Sequence, residues 1–254
     1  MTEIDPAAIV RAARLLATAR ESGERLDRFA EELRPQNGDE AYAIQRVTLD
    51  LMGDQVAGWK VAIAPDVGLM AGILVRSGVF ADGATVPSEP LSMFGIEAEI
   101  AFRFDETLAP RDEPYERAEI ESAVTAFPAI EIVETRFRDY DATPAIERAA
   151  DFMANGGFIV GAPRDDWRSF DLAALEARVI IDGKEVVRRT GGHAAGDPLV
   201  PAIALVNHMR LSDGIAAGMM VTTGTYTGLE FAARGSTVEA IFTGFGSVGC
   251  RFSG

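Results

Sequence analysis

Apolar and polar positions at the start of the chain follow the period of a helix. Apolar residues recur at helical spacing along the first predicted helix, namely Ile9, Ala12, Ala13, Leu16 and Ala19. Asp5-Pro6 marks its start, because aspartate caps helix N-termini and proline is tolerated at the first helical position. A second helix is predicted after the turn at residues 35–39, with Asp39 as its cap and Ala41, Ile44, Leu49 and Met52 as its apolar face. These faces predict packing surfaces.

From Gly58 onward the pattern changes to short apolar runs separated by Gly, Pro and Asp, which predicts strands. The predicted strands are 59–63, 96–104, 129–133, 157–160, 177–181, 186–189, 220–222, 236–242 and 249–252. Two predicted helices, 115–127 and 198–209, interrupt the series. Helices in front of many strands predict an α+β fold. We expect a helical N-terminal region, residues 1–57, docked on a β-rich catalytic domain, residues 58–254.

Two glutamates stand out in the predicted strand 96–104. Side chains alternate between the faces of a strand, so Glu97 and Glu99 share one face with Ala101. Glu131 lies in another apolar run, 128–133. Burying several unpaired carboxylates would be costly, and a hard cation such as Mg²⁺ or Mn²⁺ would neutralise them through oxygen ligands. An edge strand with both glutamates facing water explains the same alternation, so spacing alone leaves both interpretations open.

Lys60 is a single cation in the apolar run 58–63. A lysine beside a dry pocket can act as an acid or a base. A lysine at a strand end that extends its ammonium to water would give the same pattern. The sequence has no G-x-S-x-G motif and only two histidines, so it offers little support for a nucleophilic triad.

Composition narrows the classes of partner. The chain has 24 Lys and Arg against 39 Asp and Glu, a formal net charge of −15, which disfavours binding to nucleic acids and anionic membranes. The one cysteine, Cys250, has no partner for an intrachain disulfide. No apolar run approaches the roughly 20 residues that span a bilayer. We therefore expect a cytoplasmic protein.

Taken in order, these segments resemble the fumarylacetoacetate hydrolase superfamily, and within it the branch of 2-keto-4-pentenoate hydratases and 4-oxalocrotonate decarboxylases. Each motif is weak alone, but their order and spacing hold over nearly the whole chain. The matching segments are DEAYAIQ at 39–45, GWKV at 58–61, IEAEIA at 96–101, PAIEIVETRF at 128–137, GDPL at 196–199, TGT at 223–225 and GSV at 246–248.

The resemblance implies a mixed β-roll with a helical N-terminal extension and one bound Mg²⁺ or Mn²⁺. Glu97, Glu99 and Glu131 match the metal carboxylates of the family, and Lys60 matches its active-site lysine. Such enzymes act on a 2-oxo or 2-hydroxydienoate acid through a metal-stabilised enolate, which implies a hydro-lyase of the 2-keto-4-pentenoate hydratase type.

Two departures from the family pattern bear on the substrate. Counting back from Glu97 without gaps, Ser77 stands where the hydratase branch has an acidic residue. Asn155 ends the segment 151–155, where the family tends to have Asp-Asn-Ala-Ser. Ser77, Asn155 and Thr225 are candidate substrate-binding residues. Because serine is a weaker base than a carboxylate, we expect slow or absent addition of water.

Three hypotheses about function follow from the resemblance. The first is hydration. The second is a related reaction in the same carboxylate cage, either decarboxylation of an oxalocrotonate-like diacid or hydrolytic C–C cleavage of an acylpyruvate. The third is a non-catalytic partner subunit. The expected partners are a small 2-oxo acid, further copies of the chain in a homo-oligomer, and a related decarboxylase or hydratase.

Overall fold

The computed structural model describes residues 5–64 and 68–254. Its helices are α1 (Pro6–Ser22), α2 (Gly38–Met52), α3 (Arg117–Ser122), α4 (Ala145–Ala150) and α5 (Leu199–Met209). Asp5 caps α1 as predicted, its carboxylate accepting a hydrogen bond from the N–H of Ala7 at 3.0 Å. The cap of α2 is Asn37, whose side chain accepts from the N–H of Glu40, and Asp39 lies inside the helix. The prediction that Asp39 caps this helix was therefore wrong by two positions.

Thirteen strands are described in the same parts of the chain. They are β1 (Val56–Ala64), β2 (Gly68–Val75), β3 (Val79–Ala81), β4 (Ala84–Val86), β5 (Gly95–Phe104), β6 (Val124–Val133), β7 (Asn155–Val160), β8 (Glu176–Ile181), β9 (Lys184–Thr190), β10 (Met220–Thr225), β11 (Glu230–Phe231), β12 (Thr237–Phe242) and β13 (Gly246–Phe252). One sheet has the order β2-β1-β10-β5-β6-β7-β3, with β11 added to β5. The other has the order β4-β13-β12-β8-β9.

The two sheets share one apolar core. Its buried residues come from β1, β5 and β6 of the larger sheet, from β8, β12 and β13 of the smaller one, and from α5. A second apolar cluster joins α1 and α2 to α4. The division into regions 1–57 and 58–254 stays a prediction, but α1 and α2 do pack on elements of the β-rich part.

The strands β2 and β1 join the rest of the larger sheet where β1 pairs in parallel with β10. Gly58 lies opposite Met220 at this pairing, and a Cβ atom on Gly58 would come within 2.0 Å of the Met220 carbonyl oxygen. Only glycine allows the two backbones to approach so closely. The strand that carries Lys60 is thereby joined to the centre of the sheet.

The predicted helix 115–127 is wrong in its second half. Helix α3 ends at Ser122, and β6 begins at Val124. Residues 124–127 are Val-Thr-Ala-Phe, and their backbone pairs with residues 101–104 of β5. Long-range pairing in the sheet outweighs the local helical pattern here. The predicted strands all lie within strands of the structure or overlap them, which supports the α+β assignment. None of the described helices combines the length and the hydropathy needed to cross a bilayer.

Candidate active site

The pairing of β5 with β6 brings the three glutamates together. Glu97 lies directly opposite Glu131, and Glu99 follows two residues along the same face of β5. Oxygen atoms of the three carboxylates all lie within 4.8 Å of one another. Glu99 and Glu131 are buried, and Glu97 is half-buried. We call these three residues the carboxylate cluster.

The same ladder carries Lys60 to the cluster. Lys60 of β1 pairs with Thr222 of β10, and Thr222 pairs with Ala101 of β5, so all three share the face of Glu99. The Lys60 ammonium lies 2.6 Å from Glu131 Oε1, and its side chain is only 13% exposed. The interpretation of Lys60 as a lysine that extends to water at a strand end does not fit this position.

Neighbouring groups fix two of the carboxylates. The Thr222 hydroxyl and the Gly224 N–H both donate to Glu99 Oε2, the latter at 3.0 Å. The Asn155 side-chain amide donates to Glu131 Oε1 at 3.0 Å, the atom that also contacts Lys60. Glu131 Oε2 is buried and has no hydrogen-bond partner among the described residues. An acceptor of this kind is costly to bury, and a cation bound at this oxygen would offset that cost.

Burial and mutual repulsion shift the protonation of the cluster. Burial, with a smaller contribution from Glu131, raises the pKa of Glu97 to about 7 against the attraction of Lys60. Burial and the charges of Glu131 and Glu97 raise the pKa of Glu99 to about 8. Burial alone would lower the pKa of Lys60, but the attraction of the glutamates outweighs it and the pKa is raised. Three carboxylates with one cation therefore carry surplus negative charge, and the donor set fits a divalent cation with oxygen ligands.

The cluster lines a cavity of about 290 Å³. Ala62, Met70, Ala149 and Met153 supply apolar walls, and Ala194 and Gly224 supply backbone. Thr225 lines the cavity, and its hydroxyl also accepts from the N–H of Thr227 at 3.1 Å. Tyr140 and Arg148 complete the lining. A cavity of this size and polarity suits a small acid.

Asn155 is held by an unusual turn. Phe152, Met153 and Ala154 all have positive φ values, of 50°, 51° and 58°, which costs free energy in residues other than glycine. Gly72 packs against this turn, where a Cβ would lie 2.5 Å from the Phe152 carbonyl oxygen. Arg20 and Arg136 donate to Asp151 before the turn and to the Asn155 carbonyl after it, at 3.2 and 3.1 Å for the carbonyl. The turn is thus fastened at both ends.

The structure does not bring Ser77 to the cluster. Ser77 follows β2, whose Gly72 is the residue opposite Lys60, and its hydroxyl donates to Asp54. It lines a different cavity, together with Glu134 and Arg136. Placing Ser77 in the substrate site was therefore an error of the ungapped count. The segment between Lys60 and Glu97 contains a hairpin and two short strands, so its length does not fix which residue reaches the cavity.

Of the seven predicted site residues, six lie at the cluster or contact it: Lys60, Glu97, Glu99, Glu131, Asn155 and Thr225. Sequence analysis did not identify Thr222, which orients Glu99, nor Tyr140 and Arg148. Thr222 could have been found from its place beside the TGT segment. Tyr140 and Arg148 reach the cavity from a loop and a short helix, and neither has a periodicity that marks a site.

Comparison with known proteins identifies the family. No protein-family model matches the chain. A 2-keto-4-pentenoate hydratase of Burkholderia vietnamiensis is 31% identical over 226 residues, which cover 84% of this chain and 85% of the relative. A 4-oxalocrotonate decarboxylase of Pseudomonas putida is 26% identical over 228 residues, covering 84% of each chain.

Solved structures share the fold. The 4-oxalocrotonate decarboxylase from Pseudomonas putida G7, complexed with magnesium and adipate, has a TM-score of 0.85 at 22% identity, covering 99% of this chain and 100% of that one. A putative fumarylacetoacetate hydrolase family protein from Yersinia pestis has a TM-score of 0.55 at 17% identity, covering 78% and 93%. The predicted β-roll is confirmed. The chain belongs to the 2-keto-4-pentenoate hydratase family, and it shares its fold with these solved structures.

Proposed function

We propose that this enzyme adds water to a 2-hydroxydienoate, the enol form of an unsaturated 2-oxo acid, with Mg²⁺ or Mn²⁺ held by Glu97, Glu99 and Glu131. The observation that carries the proposal is the unpartnered Glu131 Oε2 inside a buried group of three carboxylates. The family relationship supports it, because relatives that cover most of the chain are named as hydratases.

A bound divalent cation supplies Lewis-acid stabilisation of negative charge that develops on the 2-oxygen of the substrate. The contribution of the chain is to fix the ligands. Thr222 and Gly224 hold one oxygen of Glu99, while Asn155 and Lys60 hold Glu131 Oε1 and leave Oε2 without a donor among the described residues. This fixed arrangement lowers the reorganisation needed during the reaction.

Lys60 is the proposed acid. Hydration first breaks the O–H bond of the dienol and delivers a proton to the terminal carbon, C5, which gives a 2-oxo acid with a double bond between C3 and C4. Water then adds across that double bond, with hydroxide on C4 and a proton on C3, to give a 4-hydroxy-2-oxo acid. The Lys60 ammonium lies beside the cluster and carries a proton at Nζ, because the glutamates raise its pKa. It is therefore placed to donate that proton or to stabilise the oxygen that loses one.

Ser77 has no part in this proposal. The expectation of slow hydration rested on Ser77 as a replacement for a catalytic acid, and Ser77 lines another cavity. Glu134 cannot replace it, since Glu134 lies in that second cavity and accepts from Arg25 and from the N–H of Met93. We accordingly expect Ser77→Asp to leave the rate of hydration unchanged.

The test is turnover of 2-hydroxypenta-2,4-dienoate by the purified protein, followed as loss of dienol absorbance. We expect turnover with Mg²⁺ or Mn²⁺, none with excess EDTA, and at least a 100-fold loss in Lys60→Met with little change in melting temperature. If Lys60→Met melts early but keeps its turnover per folded molecule, Lys60 has a structural role. Absence of turnover with any unsaturated 2-oxo acid would favour the partner-subunit alternative.

Decarboxylation and C–C hydrolysis use the same cage and are distinguished by product. Release of CO₂ from an oxalocrotonate-like diacid would favour the decarboxylase alternative, and release of a second acid from an acylpyruvate would favour hydrolysis. A cytoplasmic location, a homo-oligomer and association with a related enzyme stay predictions, and gel filtration with light scattering tests the oligomer.

A further inference from the structure

The geometry points to Arg148 as the residue that binds a second carboxylate, at the far end of the substrate, so that the preferred substrates are dicarboxylic 2-oxo acids. This inference rests on the proposed function, since it assumes that the 2-oxo acid end lies at the carboxylate cluster. It names the substrate class more narrowly than the hydration of a 2-hydroxydienoate does.

Arg148 has no carboxylate partner among the described residues, although many arginines of the chain do. Its Nη1 donates to the Tyr140 carbonyl at 2.7 Å. Nε and Nη2 have no hydrogen-bond partner in residues 5–64 and 68–254. These two groups form the edge of a guanidinium that binds a carboxylate through two parallel hydrogen bonds.

The guanidinium is also held in position before any ligand arrives. Its carbon atom lies 4.7 Å from the centre of the Tyr140 ring, and the hydrogen bond to the Tyr140 carbonyl fixes one end. A fixed arginine loses less freedom on binding than a mobile surface side chain does. Both residues line the cavity that holds the cluster.

Arg148 reaches the cavity from a different element of the fold than the cluster does. Arg148 comes from α4, on the same wall as Ala145 and Ala149, whereas the cluster comes from β5 and β6. The two ends of the cavity therefore differ in charge. The cluster binds a cation and, through it, the 2-oxo acid end of the substrate. The Arg148 end binds an anion.

The cavity offers a distal carboxylate no other free cation. Lys60 is paired with Glu131, and the lining contains only these two cationic side chains among the described residues. A substrate with an apolar tail would leave the Nε and Nη2 groups of Arg148 to solvent. A substrate with a terminal carboxylate would pair them.

Calorimetric binding of 2-oxoadipate and 2-oxohexanoate to the full chain in the presence of Mn²⁺ tests this inference. The two acids have the same length and the same 2-oxo acid end, and they differ only in the terminal group. We expect 2-oxoadipate to bind about 10- to 100-fold more tightly, the range typical of a charge-assisted pair.

Arg148→Met should weaken binding of 2-oxoadipate by about the same factor and change binding of 2-oxohexanoate less than threefold. Arg148→Lys should keep part of the preference, because it keeps the charge without the planar edge. Arg14→Met, which removes an exposed arginine on α1, serves as the matched control and should change neither. Circular dichroism confirms that each variant is folded.

Equal binding of both acids to the unmodified protein would overturn this inference and leave the proposed function standing. Equal weakening of both in Arg148→Met would also overturn it, because Arg148 would then act on the end that the acids share. Binding of neither acid would contradict the proposed function itself, and this inference with it.

Discussion

Two buried groups of charges lie on either side of Asn155, and they are balanced in opposite ways. The first group consists of the three acids of the carboxylate cluster and Lys60 beside them. The other group, which we call the arginine pair, has Arg20 and Arg136 around Asp151. Asn155 touches both, through its side-chain amide on Glu131 and through its backbone carbonyl on the two arginines.

The arginine pair is satisfied by the chain itself. Asp151 accepts from both guanidiniums and from the N–H of Arg136. The surplus positive charge meets the Asp151 and Asn155 carbonyls, and Arg20 also lies 4.2 Å from the centre of the Phe152 ring. Among the fully buried polar atoms of these three residues, Arg20 Nε is the one without a hydrogen-bond partner in the described parts of the chain. Burial together with the charge of Arg136 lowers the pKa of Arg20.

The carboxylate cluster is not satisfied in this way. Its surplus charge is negative, its acids have raised pKa values, and Glu131 Oε2 lacks a donor among the described residues. The comparison separates a structural group of charges, which the chain completes, from a functional one, which a ligand must complete. Removing one member should therefore affect folding in the first and binding in the second.

The largest expected effect is at the cluster. Glu99→Ala should abolish metal-dependent activity and weaken Mn²⁺ binding by at least about 100-fold, because it removes a ligand. The fold should survive, since the change also removes buried repulsion between carboxylates. Titration of Mn²⁺ followed by electron paramagnetic resonance measures the affinity. Glu239→Ala, at an exposed glutamate of β12, is the control and should bind normally. An early melting temperature for Glu99→Ala would contradict the comparison.

The next effect is on stability at the arginine pair. Asp151→Ala should lower the free energy of unfolding by about 3–5 kcal/mol, because two buried guanidiniums lose their shared carboxylate. Urea denaturation measures this change. Asp105→Ala, which breaks the exposed pair with Arg103, should cost less than about 1 kcal/mol. Equal losses in the two variants would show that the arginine pair is not structural.

A smaller effect is expected at the residue that joins the two groups. Asn155→Ala should weaken Mn²⁺ binding by about 10- to 100-fold, because Glu131 loses the donor that orients it. Asn207→Ala makes a matched control, since the Asn207 side chain bonds only the backbone of Tyr115. Calorimetric titration of Mn²⁺ into both variants measures the two affinities. An equal loss of affinity in Asn207→Ala would refute a positioning role for Asn155.

The smallest effect is the dependence of stability on pH without metal. The folded pKa values of Glu97 and Glu99, about 7 and about 8, lie above the unfolded value of 4.5, so the folded state binds more protons between these limits. Stability should therefore fall as pH rises from about 5 to about 8. In EDTA we expect a melting temperature a few degrees lower at pH 8 than at pH 5.5.

Saturating Mg²⁺ should reverse that trend, because the cation binds the ionised carboxylates and competes with protons. Glu99→Gln in EDTA should show a shallower dependence than the unmodified protein. A melting temperature that rises with pH in EDTA would contradict the raised pKa values of the cluster.

The sequence allowed the cluster to be predicted because strand alternation is a local rule. Glu97 and Glu99 share a face by their spacing alone, and Glu131 was grouped with them as another carboxylate in an apolar run. Lys60 was joined to them only by the family resemblance. Residues from loops and short helices followed no such rule. Arg148 was therefore missed, and Thr222 was missed as well. Ser77 was misplaced for a different reason: β2 runs antiparallel to β1 between Lys60 and Glu97, so counting residues does not show which of them reaches the cavity.

The same limit explains the error in the fold. Residues 124–127 follow a helix without a proline or glycine break, so local pattern extended the helix through them. Their strand conformation comes from pairing with β5, which lies about 20 residues earlier. The sequence pattern also did not reveal the arginine pair, because Arg20 and Asp151 are 131 positions apart in the chain.

The parallel pairing of β1 with β10 also determines when the site forms during folding. Lys60 pairs with Thr222, 162 positions later, and Gly58 lies opposite Met220 in the same pairing. Contacts between residues so far apart in sequence form late, because the closure of a long loop costs entropy before they stabilise the chain. Glu97, Glu99 and Glu131 come together through the nearer pairing of β5 with β6, so Lys60 joins carboxylates that are already assembled.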